Sequence, residues 1–242
     1  RLDTDTHATL VETYVGEGWS SRLTRIDLGP SARLMRAVRL AQASGFQSLR
    51  EEAALGEGAS YVATFLGAGS ADTRIDAAVG MEGKGGYAEI GGALLARGRQ
   101  RHEAAIVVRH ATELGTSRQV WRAVAQDEAA ASLAARVEVA PHAQKTDGAQ
   151  SLRGLLLHRS AAINLKPELE IYADDVQCAH GATVGELDEK ALFYMASRGI
   201  PPAAARALLT HAFVADALER IGSEAVRDAF LADADAWLEE TA

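Results

Sequence analysis

The chain holds one cysteine among 242 residues, so no intrachain disulfide framework can form, and a reducing compartment is the expected setting. Only 5% of its residues are aromatic, which leaves a core to be built mainly from aliphatic side chains. No apolar run approaches the roughly 18 residues of a membrane span, and the start of the chain lacks the charged-then-apolar order of a secretory signal. Basic residues are outnumbered 25 to 33, for a net charge of −8. That is the opposite of the basic footprint expected of a protein that holds nucleic-acid backbone. These absences predict a cytoplasmic protein with neither a membrane nor a nucleic acid as partner.

What is present is short-period order. From about Thr6 to Gly181 the chain reads as brief apolar segments separated by polar or glycine punctuation, among them 34–40, 61–66, 105–109 and 136–139. Several alternate apolar with polar residues, as half-buried strands do. Segment starts recur about every ten residues, a spacing that suits a sandwich or a coil of short strands, and no helix-length stretches separate them. Glycines outnumber prolines 22 to 5. Gly67, Gly69, Gly80, Gly83, Gly91, Gly92 and Gly98 read as corners, where a positive φ costs glycine nothing. After Gly185 the texture turns helical. One helix is predicted over 186–198, stopped by Gly199 and Pro201, a second over about 202–221, and a third from Ser223. The expected organisation is a β core over 1–184 and a helical subdomain over 185–242.

The most chemically suggestive stretch is Asp174-Asp175-Val176-Gln177-Cys178-Ala179-His180-Gly181. Residues i and i+2 of a strand share a face, so Cys178 and His180 are predicted side by side. Thiol and imidazole suit iron, zinc or copper(I), but two ligands do not close a tetrahedral site. The bland alternative is a cysteine acting as a small hydrophobe beside a histidine that only hydrogen-bonds. Adjacent Asp174 and Asp175 would point to opposite faces of a strand and cannot flank one bond.

The run KPELEIYADDVQCAHGATVG, followed by ELDEKALFYMASRGIP and preceded by Lys145-Thr146-Asp147 and Gln150, resembles the C-terminal core of the SufB/SufD family of iron–sulfur cluster assembly proteins, and within it the D branch. The resemblance is dense over 144–201 and looser elsewhere. It implies a mainly β fold, a right-handed parallel β-helix followed by C-terminal helices. It also implies a non-enzymatic scaffold that pairs with a paralogous SufB-like subunit and a SufC-like ATPase, with a homodimer possible in isolation. On this reading Asp175, Val176, Gln177, Cys178, Ala179, His180 and Gly181 form the dimer interface. Cys178 and His180 contribute to iron or an iron–sulfur cluster held transiently and completed by the partner subunit. Leu187, Met195, Val226, Phe230 and Trp237 mark the ATPase docking faces. The family carries a helical region ahead of its β core, expected to lie outside this sequence, which starts at Arg1.

Other patterns are weaker. Gly83-Lys84-Gly85-Gly86 lacks the hydroxyl residue and the earlier glycine of a phosphate-binding loop, so the chain is not expected to bind ATP. His102 and His110, eight residues apart, would share a strand face. His211 falls on the apolar stripe of the second helix, and His142 in a connection. No nucleophile elbow is present. Two rival readings are a polysaccharide-active β-helix enzyme, which needs carboxylates or basic groups converging in a groove, and a structural protein that self-associates through a strand edge.

Overall fold

A computed structural model describes residues 1–239. Its first strands are β1 (His7–Tyr14), β2 (Trp19–Leu28), β3 (Arg33–Leu40), β4 (Phe46–Leu55), β5 (Ser60–Gly67) and β6 (Asp72–Met81). They continue as β7 (Tyr87–Ala96), β8 (Arg101–His110), β9 (Thr116–Ala125), β10 (Ala130–Val139), β11 (Asp147–Leu156), β12 (Ala162–Ile171) and β13 (Gln177–Glu186). Odd strands form a seven-stranded sheet in the order β1-β3-β5-β7-β9-β11-β13, and even strands a six-stranded sheet from β2 to β12. Every pairing is parallel, with an offset from 26 residues (His7 opposite Arg33) to 32 (Ala130 opposite Ala162). A chain that lays one strand in each sheet per turn and returns in register is a parallel β-helix, which settles the choice between sandwich and solenoid.

Strict alternation drives the coil. In β10 every second residue, Ala131 to Val139, is buried, and equivalent positions stack from coil to coil, as in Ala53–Val79–Val108–Val137–Leu169. Burial of such side chains contributes about 1.5–3 kcal/mol each. The interior is nonetheless neither wholly aliphatic nor wholly apolar. Phe65 and Trp121 stack inside it with centroids 6.0 Å apart. Toward the N-terminal end, buried Arg36 joins Glu12 and Glu51, and Tyr61 donates to Glu51 at 2.5 Å. Of the expected corner glycines, Gly67 and Gly80 fall at the ends of β5 and β6, and Gly91 and Gly92 sit inside β7. A Cβ there would lie 2.3 Å from Val120 O and 2.0 Å from Phe65 O respectively, so close backbone approach is what demands glycine.

Three helices follow: α1 (Glu189–Ser197), α2 (Pro202–Leu218) and α3 (Glu224–Glu239). β13 runs on to Glu186, past the expected boundary at 184. Asp188 then caps α1 by accepting from Lys190 N at 2.9 Å. Residues 240–242 of the expected helical subdomain lie outside the described residues. α2 and α3 lie along the flank of the seven-stranded sheet. Val214, Leu218, Ile221, Phe230, Ala234, Trp237 and Leu238 pack on the outward residues Ala37, Leu66, Ala93, Leu95, Val124 and Leu155. This explains why β7 is buried on both faces. Arg122 to Asp216, Arg39 to Asp233 at 2.6 Å and Arg220 to Glu89 at 2.9 Å tie the layers at their margins. His211 on the stripe of α2 pairs with Asp235 of α3 at 2.5 Å.

Because Phe230 is fully buried at this helix–sheet interface, Phe230→Ala should destabilise the fold by about 3–5 kcal/mol. A lower urea midpoint with unchanged slope is the expected result. A wild-type midpoint would show that the helices do not depend on the sheet.

His102 and His110 share the inward face of β8 and are fully buried. Burial pushes both imidazoles down to about 4. Their folded values lie below the unfolded one near 6.5, so the unfolded state binds more protons in between. Stability should therefore be complete above about pH 6.5 and fall by about 3 kcal/mol per histidine as pH drops toward 4. Urea titrations across that window should give a shallower pH dependence for His102→Leu. An identical slope would mean that His102 does not enter the fold neutral.

Candidate functional site

β13 is the last strand of the seven-stranded sheet and pairs on one side only, with β11. Gln177 donates its N–H to Thr146 O at 2.8 Å. Strand alternation then turns the backbone N–H groups of Cys178, His180 and Ala182 away from β11, toward the open edge. A row of unpaired donors and acceptors of this kind is a template for a further strand.

The corner that delivers the chain to β13 is held by the residues just before β11. Lys145, at φ 60°, donates its backbone N–H to Asp175 O at 2.6 Å and pairs with the Asp175 carboxylate. Gln144 Oε1 accepts from Asp175 N at 2.9 Å. Buried Thr146 donates to Ala143 O at 2.9 Å, and Asp147 takes a two-pronged contact from Arg118 at 2.9 and 2.6 Å. The Lys-Thr-Asp motif is thus a corner clamp. Asp174 and Asp175 belong to the turn, not to a strand beginning at 174, because strand pairing starts only at Gln177.

Cys178 stands opposite Gly148, and His180 opposite Gln150. Gly148 and Gln150 are inward positions of β11, so Cys178 and His180 share the face that continues the interior of the solenoid. The Cys178 sulfur lies 3.4 Å from where a Gly148 Cβ would be, beside a small apolar cluster of Val137, Val139, Ala143, Ala173 and Val176. Burial raises the thiol above its usual range, so the apolar side of the site favours the protonated form until a cation displaces the proton. His180 is exposed at the open end. Among the described residues, no group of three or more His, Cys, Asp or Glu comes together to hold a metal. The chain by itself presents a thiol and an imidazole.

Of the expected interface residues, Val176 is half-buried in the apolar cluster, and Gln177, Ala179 and Gly181 lie exposed along β13. The expected docking faces need correction. Phe230 and Trp237 are buried against the sheet, and Leu187 and Val226 pack on the same cluster, because the outward Ala, Leu and Val side chains of the sheet need an apolar cover. Met195 is half-buried on α1. The large apolar side chains that reach solvent on the described helices are Phe193 (77% exposed), Tyr194 and Leu208. For Phe193 and Tyr194 the signal was the run Leu192-Phe193-Tyr194-Met195: four consecutive apolar residues cannot all lie on one helix face. Lys84 of the glycine loop sits at an exposed corner, 2.7 Å from Glu113. No described helix is long and apolar enough to cross a membrane.

The match to known proteins is extensive. Residues 1–213 fit the SufBD core domain of the SUF iron–sulfur cluster assembly system. The iron–sulfur cluster assembly protein SufD of Escherichia coli is 41% identical over 116 residues, 48% of this chain and 27% of that protein. A SufBD family protein of Synechocystis is 40% identical over 107 residues, 44% of this chain and 24% of that one. A family protein of Pyrococcus horikoshii is 26% identical over 220 residues, covering 91% of this chain and 46% of the relative. The chain spans less than half the length of these relatives. With its core domain matched through β-helix, corner clamp and edge strand alike, the chain belongs to the SufBD family of iron–sulfur cluster assembly proteins.

Proposed function

We propose that this chain acts as a non-enzymatic, D-type scaffold subunit in a cytoplasmic iron–sulfur cluster assembly complex. Its β13 edge adds to the matching edge of a SufB-like paralogue, and a SufC-like ATPase supplies the energy. The observation that carries the reading is the unpaired edge of β13, with Cys178 and His180 on one face at the open end of the solenoid. Edge addition would provide affinity through backbone hydrogen bonds and bring the partner's ligands to a half-built site. Iron, or a nascent cluster, is then cargo shared across the interface, with one soft and one borderline ligand from this side. The same edge would permit a homodimer when the chain is isolated.

For the ATPase, exposed Phe193 and Tyr194 on α1 and Leu208 on α2 replace the buried residues expected from sequence. Aromatic anchors of this kind carry a large share of binding energy where they are buried by a partner.

Pairing and ligation can be separated. Ala182→Pro removes an outward N–H on the edge while sparing the bonds to β11, a position where proline is tolerated. It should abolish co-purification of the B-type subunit and leave thermal stability within about 0.5 kcal/mol. His180→Ala should keep the complex but lower the iron and sulfide recovered with it. Wild-type iron content in that variant rejects the ligand assignment, and intact pairing in Ala182→Pro rejects the edge. Phe193→Glu should cost about 2 kcal/mol of ATPase affinity, read by calorimetry. Unchanged affinity places the docking surface elsewhere.

A further inference from the structure

The sequence singled out Lys145, Thr146, Asp147 and Gln150 together. The first three have partners at the corner clamp, whereas Gln150 has none. It is 4% exposed, and neither its amide oxygen nor its amide nitrogen has a hydrogen-bond partner among the described residues. A buried amide left in that state is costly, so its neighbours decide what it is for.

Gln150 is the middle of an inward row that crosses three adjacent strands in register: Gln119 on β9, Gln150 on β11 and His180 on β13. Neighbouring strands lie about 4.8 Å apart, and side chains at one register position on one face stack within reach of each other. Gln119 is fully buried and already anchored, its Nε2 donating to Arg136 O on the opposite wall at 3.1 Å. Its Oε1 is unpartnered. The row therefore ends in a spare acceptor on Gln119, a spare donor and acceptor on Gln150, and an imidazole that always carries at least one ring N–H.

We infer that Gln150 is a positioning residue for His180. Neither bond is made in the structure; a rotation of the Gln150 side chain within the row would let its Nε2 donate to Gln119 Oε1 and its Oε1 accept from one ring N–H of His180. This arrangement satisfies the spare groups of both amides and gives the row a direction, since Gln119 is fixed by the opposite wall and cannot turn. Only one orientation of the Gln150 amide then fits, and it fixes which His180 nitrogen carries the proton. The other nitrogen is left with its lone pair free. Histidines that ligate metals are held in this way by a hydrogen bond to the second nitrogen, which sets ring orientation and tautomer. The link to ligation rests on the proposed function; the contact between Gln150 and His180 does not.

The test uses the full-length protein, deuterated and carrying nitrogen-15 histidine, at about pH 8, where an ordinary imidazole is neutral. Wild type should show a ring N–H resonance of His180 that survives solvent exchange, with the two ring nitrogens resolved as one tautomer. Gln150→Met keeps the length and shape of the side chain without the amide. It should lose that resonance and average the two nitrogen shifts, while backbone amide signals of β11 and β13 stay in place. A wild-type His180 with no protected ring N–H overturns the inference, and so does a Gln150→Met protein with the wild-type imidazole spectrum. If the variant fails to fold, the wild-type measurement still decides. Iron recovered with the partner-bound complex should also fall about tenfold or more in Gln150→Met. A changed imidazole spectrum with wild-type iron recovery supports the positioning contact and counts against His180 as a ligand.

Discussion

A parallel coil can satisfy the backbone of each strand only with the strand one turn earlier and one turn later. Every other property of this molecule follows from that constraint. The offset between partners must be nearly constant, so inward residues stack into rows that run from coil to coil, as Ala53–Val79–Val108–Val137–Leu169 does. Among the described residues, no strand lies beyond the last turn. β13 therefore ends the sheet with a line of unsatisfied N–H and C=O groups, on the strand that carries Cys178 and His180. An edge that globular proteins normally cover is here combined with two ligand-type side chains.

The helices respond to the same geometry. A solenoid wall presents alternate residues outward, and where those are Ala, Leu and Val they need a cover. α2 and α3 supply it along the flank of the seven-stranded sheet, with arginines at the margin stacking on aromatic rings, Arg39 on Phe230 at 5.2 Å and Arg122 on Phe213 at 5.9 Å. The stripe of Phe230 and Trp237 is thereby used within the chain. α1 packs less closely and leaves Phe193 and Tyr194 in solvent. How closely each helix lies on the wall sets how much of its apolar surface is buried.

Polar residues inside the wall form three groups. The Glu12–Arg36–Glu51–Tyr61 cluster has partners for its opposing charges, with the partly exposed Glu12 on the first strand of its sheet. Such buried pairs roughly balance desolvation against attraction, and breaking one is costly. Toward the other end, His110 bonds Ser117 at 2.8 Å, and the Gln119–Gln150–His180 row leads to the open edge. The third, Gln47, Thr73 and His102, stands in register across β4, β6 and β8 among otherwise aliphatic and aromatic middle coils.

The sequence by itself determined much of the architecture. Alternation of period two, a ten-residue cadence and the switch to helical spacing after Gly185 are local properties, and they survive folding because they are written in neighbouring residues. The shared face of Cys178 and His180 was equally legible, since it follows from strand geometry alone. The choice of solenoid over sandwich, the start of β13 at Gln177 and the burial of Phe230 and Trp237 were decided only by tertiary structure. So were the placing of Gly91 and Gly92 in mid-strand and the meeting of Gln119, Gln150 and His180. Each depends on which residues about 30 positions apart are brought into register, or on which wall a helix finds. A sequence pattern states what a residue prefers beside it along the chain, whereas stacking of coils determines what it meets across the chain.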